Sequence, residues 1–299
     1  MSNLAGHHEL QAALDASLRF GPSYAGSSGG ALSSHLPMVL TALARLGAPA
    51  AALDRQLAHW GPRLGPARPM TGAPPELRDL LLVPEALAFH GAIRLAYARD
   101  AGHAGEQATA AAVWAAGLRP LGPVLPTVAG RISLRETLDA VRAEAALALA
   151  PRSSGTIVAA MNAAITLPGV ANFIALPRLD LDSLAEAALA VYLATRDFTA
   201  LHLVTGTHAL RVLLGATDDV DQAQVLRHFW RAWLAAYLSI GRPAPAWHLV
   251  HAGQVGEPDW QAALPALFTS LDDHRIKLAD SAREEWRLRA WPGYMLAIQ

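Results

Sequence analysis

Residues 271–285 read LDDHRIKLADSAREE and hold the only lysine of the 299-residue chain, Lys277, against 23 arginines. The imbalance matters chemically. A lysine can lose its proton when buried and then act as a nucleophile or accept a covalent modification, whereas a guanidinium stays charged. His274 stands three residues earlier, and helix positions i and i+3 share a face, so imidazole and amine would point into one space. The competing reading of the same stretch is a solvated helix face, with Asp272, Asp273 and Asp280 as ordinary partners of the lysine.

Other histidines stand in similar settings. His35 follows Ser33-Ser34 and precedes Leu36-Pro37-Met38. A serine before an apolar run is an N-cap signal, and a first-turn proline loses only an N–H with no partner in the helix. Leu36, Val39, Leu40, Leu43 and Leu46 then repeat at helical spacing until Gly47. A second helix is expected from about Pro84-Glu85, with Leu87, His90, Ile93, Arg94 and Tyr97 on one face and Gly91 admitting a neighbouring backbone. Asp197 caps a third, in which Gly206 lies one turn from His202 and leaves room beside its imidazole. His208 would lie about 120° round that helix from His202. His248 and His251 form an i, i+3 pair that suits a metal or a helix end equally.

The elements that must position these groups are helical. Helices are expected over 8–19, 101–116, 133–150, 183–196, 198–211 and 221–240, two of them opened by capping boxes, Ser133 with Glu136 and Ser183 with Glu186. Residues 155–177 read as a helix followed by a turn at Pro168-Gly169. Breaks fall at Gly21, Pro22, Gly26, Gly29 and Gly30, at 61–75 and at 117–126. No sustained period-two alternation, internal repeat or phosphate-cradling glycine motif is present, nor any NAD, flavin or haem motif. The expected fold is all-α: a single-domain multi-helix bundle over 1–299, with 1–30 as an N-terminal helix and Gly-rich loop and a metal site buried between helices.

Composition narrows the chemistry. With no cysteine, disulfides, thiolate metal sites and cysteine nucleophiles are excluded, leaving His, Asp and Glu as ligands. A net charge of −1 without a basic run argues against nucleic acid, and no apolar stretch is long enough to span a membrane. The N-terminal residues lack the pattern of a signal peptide. The cytoplasm of a bacterium is the expected compartment.

Four blocks, taken together and in order, resemble the questin oxidase-like family: Ser34-His35-Leu36-Pro37-Met38; Phe89-His90-Gly91-Ala92-Ile93-Arg94-Leu95-Ala96-Tyr97; Leu201-His202-Leu203-Val204-Thr205-Gly206; and Asp272-Asp273-His274-Arg275-Ile276-Lys277. The resemblance implies non-haem iron (Fe2+) held by His35, His90, His202 and His274 with a carbamylated Lys277, and oxygen-dependent cleavage of an anthraquinone ring. His208 is an alternative ligand if its helix is kinked. Arg94 departs from the family pattern, which tends to have a second histidine there. The implied activity is that of an oxygenase using dioxygen for ring-cleaving or Baeyer–Villiger-type conversion of a quinone-like or other aromatic small molecule. Asp272 and Asp273 are candidates to orient ligand imidazoles, and Tyr97, Trp230, Trp233 and Tyr237 to wall the substrate pocket. Two other readings of the residues stand beside it: a helical zinc or di-metal hydrolase drawing on Asp273 or Asp219, and a non-catalytic ligand-binding protein with structural histidines.

Overall fold

Short polar caps and Gly or Pro breaks cut the chain into successive helices, as the apolar spacing demands. The computed structural model describes residues 4–25, 31–68, 75–127, 129–149 and 155–299. In order these hold α1 (Leu4–Ser17), the hairpin strands β1 (Ser23–Ala25) and β2 (Ala31–Ser33), α2 (Leu36–Leu46), α3 (Ala50–Leu64), α4 (Leu77–Leu80), α5 (His90–Asp100), α6 (Ala104–Ala116) and α7 (Leu134–Ala143). A 3₁₀ turn (Ala145–Leu149) leads to α8 (Ile157–Ile165), α9 (Val170–Ile174), α10 (Leu181–Thr195), α11 (Phe198–Leu214), α12 (Gln222–Ser239), α13 (Trp247–Val250), α14 (Glu257–Phe268), α15 (Asp273–Arg289) and α16 (Gly293–Ile298). The fold is all-α apart from that antiparallel hairpin, which pairs Tyr24 with Leu32. Its three-residue strands are too short to show period-two alternation. Gly26, Gly29, Gly30, residues 69–74 of the 61–75 break and Ala150 lie outside the described residues.

Local signals place many boundaries. Ser133 and Glu136 close their capping box on α7, and Asp197 accepts from the backbone N–H groups of Thr199 and Ala200 to start α11. Other expectations are corrected. The Ser183–Glu186 box does not form, because Asp180 caps α10 first and Ser183 donates its hydroxyl to Asp180. The helix of 133–150 ends at Ala143 and tightens into the 3₁₀ turn. Helix α3 runs through Gly61 and Pro62 to Leu64, since Leu53, Leu57, Trp60 and Leu64 keep one stripe against the core. α5 starts at His90, six residues later than its sequence suggests, because Leu87, Ala88 and Phe89 adopt φ of 56°, 56° and 68°.

Four helices form a closed ring of contacts: α2 packs on α5 and α15, and α11 packs on the same two. They share one apolar core, to which α10 and α12 also belong. Among the described residues no helix is long and apolar enough to cross a membrane.

Candidate metal centre

The site lies where the N-terminal turns of those four helices meet. His35 is the N-cap of α2, His90 opens α5, His202 stands in the second turn of α11, and His274 is the second residue of α15. Their rings close a second, smaller circuit. His35 stacks on His90 at 4.7 Å between ring centres, His90 meets His202 at 4.8 Å, His202 meets His274 at 5.5 Å, and His274 meets His35 edge-on at 4.5 Å. Ligand atoms of His35, His90 and His274 all fall within 4.8 Å of one another. Lys277, one turn along α15, is 1 % exposed and acts electrostatically on His35, His90 and His202.

Each imidazole has its Nδ1 on an acceptor outside the circuit. For His35 it is Asp273 Oδ2 at 2.8 Å, and for His274 it is Asp273 Oδ1 at 2.7 Å. For His90 it is the carbonyl of Leu87 at 2.5 Å, and for His202 the carbonyl of Phe198 at 2.8 Å. A carbonyl or ionised carboxylate only accepts, so every Nδ1 carries the hydrogen and every Nε2 keeps a lone pair. The Nε2 atoms of His90 and His202 face each other at 3.3 Å, and Nε2 of His274 is buried without a partner. Facing lone pairs repel unless a cation or a shared proton lies between them. Imidazole donors in this number suit iron, zinc, copper or nickel, and the residues fit such an ion.

Electrostatics favour the neutral, ligating forms. Burial, reinforced by the charge on Lys277, brings His35 down to about 3 against the pull of Asp273. Burial likewise drives His90 and His202 well below the ordinary imidazole value. Burial opposes ionisation of Asp273, yet its bonds from His274 and His35 outweigh this and hold it far below the usual carboxylate range. Desolvation brings Lys277 down to about 8, with Asp273 and Asp272 only partly offsetting it. The neutral amine is thus within easy reach near neutrality.

The structure separates the remaining candidates. Asp273 bridges two imidazoles, whereas Asp272 caps α15 by accepting from the N–H groups of His274 and Arg275. His208 is on another face of an uninterrupted α11, with Nδ1 on Glu285 at 2.9 Å, so it is not part of the cluster. Arg94 turns to α6 and forms a paired bond to Glu106 at 2.6 and 3.0 Å. Trp230, Trp233 and Tyr237 are 0 % exposed. They stack along α12 in the core, so they line no solvent-reached pocket. Tyr97 is also buried, its hydroxyl donating to the carbonyl of Lys277 at 3.2 Å. Asp219 is an exposed partner of Arg78, whereas Asp273 pairs with both His35 and His274, and ligand atoms of Asp272, Asp273 and His274 also fall within 4.8 Å of one another. His248 and His251 are exposed, and His251 bonds Glu186. Gly91 admits the side chain of Trp114 and not a backbone, and the space at Gly206 is taken by Phe89.

One residue at the site went unnoticed in the sequence. Phe198, 52 % exposed, lies against His202 at 4.9 Å and His274 at 4.5 Å. Its place one turn before His202 is the signal that could have found it.

A model of the questin oxidase-like family matches residues 128–281, just over half of the chain. No curated protein matches it. The matched segment contains His202, His274 and Lys277, while His35 and His90 precede it on helices packed into the same core. The chain therefore belongs to the questin oxidase-like family, a family of oxidoreductases acting on aromatic compounds.

Proposed function

We propose that this chain is an iron(II)-dependent oxygenase that uses dioxygen to oxidise a quinone-like or other electron-rich aromatic compound, by ring cleavage or Baeyer–Villiger-type insertion. The observation that carries the proposal is the set of four imidazoles whose Nδ1 atoms all have acceptors outside the circuit, leaving four Nε2 lone pairs, with the buried Lys277 one helical turn from His274. His35, His90, His202 and His274 would hold the metal, with Lys277 as a carbamate. Iron bound there supplies the activation of dioxygen that an aromatic oxidation requires.

The chain's own residues do the rest. Addition of carbon dioxide to the neutral Lys277 amine forms an N–C bond, opens one C=O π bond of the carbon dioxide, releases one proton and converts the neutral amine into an anionic oxygen donor. The setting favours that anion. Four helix N-termini, each a positive dipole end, meet beside a prospective dication, and the carboxylate of Asp273 is shared between two imidazoles. Phe198, half-exposed and in contact with both His202 and His274, offers an apolar face for an aromatic ring. We extend the family's domain to the whole chain on the ground that α2 and α5, outside the matched segment, contribute two of the imidazoles.

Protein loaded anaerobically with Fe2+ and then given oxygen should consume it only when a compound from a panel of hydroxylated anthraquinones and naphthoquinones is present. His90→Ala and His274→Ala should each lose both metal and oxygen uptake. Full activity in either variant would sink the ligand assignment.

A further inference from the structure

Leu87, Ala88 and Phe89 are three successive residues with side chains in the left-handed region, at φ of 56°, 56° and 68°. Single residues visit that region; runs of L residues avoid it, because each Cβ crowds the next carbonyl. Conformations of this kind persist only where the surroundings over-determine them. Here the surroundings are visible. A Cβ at Gly117, which ends α6, would lie 2.6 Å from Cγ of Leu87. A Cβ at Gly206 on α11 would lie 3.3 Å from Cβ and Cγ of Phe89, and Phe89 itself is fully buried against Phe229. Two neighbouring helices thus leave space for the turn exactly where its outer side chains need it. The turn in turn places one carbonyl. Leu87 C=O accepts from both the backbone N–H and the Nδ1 of His90.

We infer that this left-handed turn, seated by Gly117 and Gly206, is a positioning device that fixes the tautomer and aim of the His90 imidazole and so sets metal affinity from outside the ligand set. The inference rests on the metal-site reading above. Gly117, Leu87 and Ala88 touch no reacting group; they act through His90. The carbonyl of Leu87 keeps hydrogen on Nδ1 and leaves Nε2 free, and the turn's rigidity spares the imidazole the cost of finding that orientation when a metal binds.

The test uses Co2+, a stable and coloured probe, with affinity measured by competition with a chelator. The His90 tautomer is read separately in the metal-free protein by long-range 15N–1H correlation. The wild type should show the Nδ1–H form and bind Co2+; failure of the wild type to bind would overturn the metal reading itself. Gly117→Ala should weaken Co2+ binding about tenfold or more, as loss of an outer hydrogen-bond partner does, and should mix the His90 tautomers. Adding Leu87→Ala removes the clash and keeps the carbonyl, so the double variant should return to within about threefold of the wild type, the signature of coupled neighbours. Ala88→Gly guards against a Gly117→Ala protein that does not fold. Glycine accepts this φ without strain, so the variant should melt no lower than the wild type yet bind Co2+ more weakly through its looser turn. Wild-type affinity and tautomer in folded Gly117→Ala, no recovery in the double variant, or unchanged Co2+ binding by Ala88→Gly would each overturn the inference.

Discussion

Asp273 serves two imidazoles at once, where His90 and His202 each have a backbone carbonyl. A carbonyl survives any side-chain substitution, so Asp273 is the one removable partner behind the four rings. Asp273→Asn keeps one acceptor oxygen and replaces the other with a donor, which one of the two Nδ1–H groups cannot use. The expected result is metal affinity lower by about 10- to 100-fold, measured by chelator competition, with the fold retained by circular dichroism. The isolated lysine and the i, i+3 histidine before it were legible in the sequence because both are properties of one helix. The division of labour between Asp272 and Asp273 was not, since Asp273 acquires its role only when α2 brings His35 alongside.

At the scale of elements, Arg94 joins α5 to α6 through Glu106, both side chains being buried. Arg94→Ala strands a buried carboxylate and should cost about 3–5 kcal/mol in urea unfolding; a loss under about 1 kcal/mol would show that the pair behaves like a surface one. The break at 117–126 depends on a different kind of bond. His228 accepts from the N–H of Leu125 at 2.9 Å and faces Arg231 at 3.2 Å, with Glu85 beyond it. Burial and the charge of Arg231 bring His228 down to about 4, below its value of about 6.5 in an unfolded chain. Its contribution is therefore complete above pH ~6.5 and is lost as pH falls toward the folded value. The Leu125 amide, corrected for intrinsic rate, should exchange about fivefold faster or more at the acid end, the equivalent of one hydrogen bond of ~1 kcal/mol. His228→Gln keeps an acceptor that does not titrate and should abolish the pH dependence. Caps such as Ser133 and Asp197 were readable because they involve residues two or three apart. The late start of α5 was not, because the left-handed turn is imposed by glycines on two other helices. The spacing of Trp230, Trp233 and Tyr237 puts them on one face of α12, but periodicity does not say whether that face meets core or cavity.

Over the whole molecule, residues 35, 90, 202 and 274 are brought together only by the closed packing of α2, α5, α11 and α15. A metal held by all four would tie distant parts of the chain, so binding and folding should be linked. At a free metal concentration of 100 times Kd the stabilisation should be about 2.7 kcal/mol, seen as a rise in Tm that a chelator reverses and that His274→Ala lacks. The all-α class was legible from the succession of helical stripes and breaks, and the four histidine blocks were legible through family resemblance. Spacing alone gave no reason to choose His202 over His208; the orientation of α11 against α5 and α15 puts His202 beside His90 and His208 on Glu285. The most direct test of the central claim is metal analysis of the wild type beside Lys277→Arg, both reconstituted with Fe2+ and bicarbonate. The account predicts about one iron per chain in the wild type and its loss in the variant, which keeps the charge and cannot form the carbamate. A wild type without iron, or a variant that retains it in full, would contradict the account.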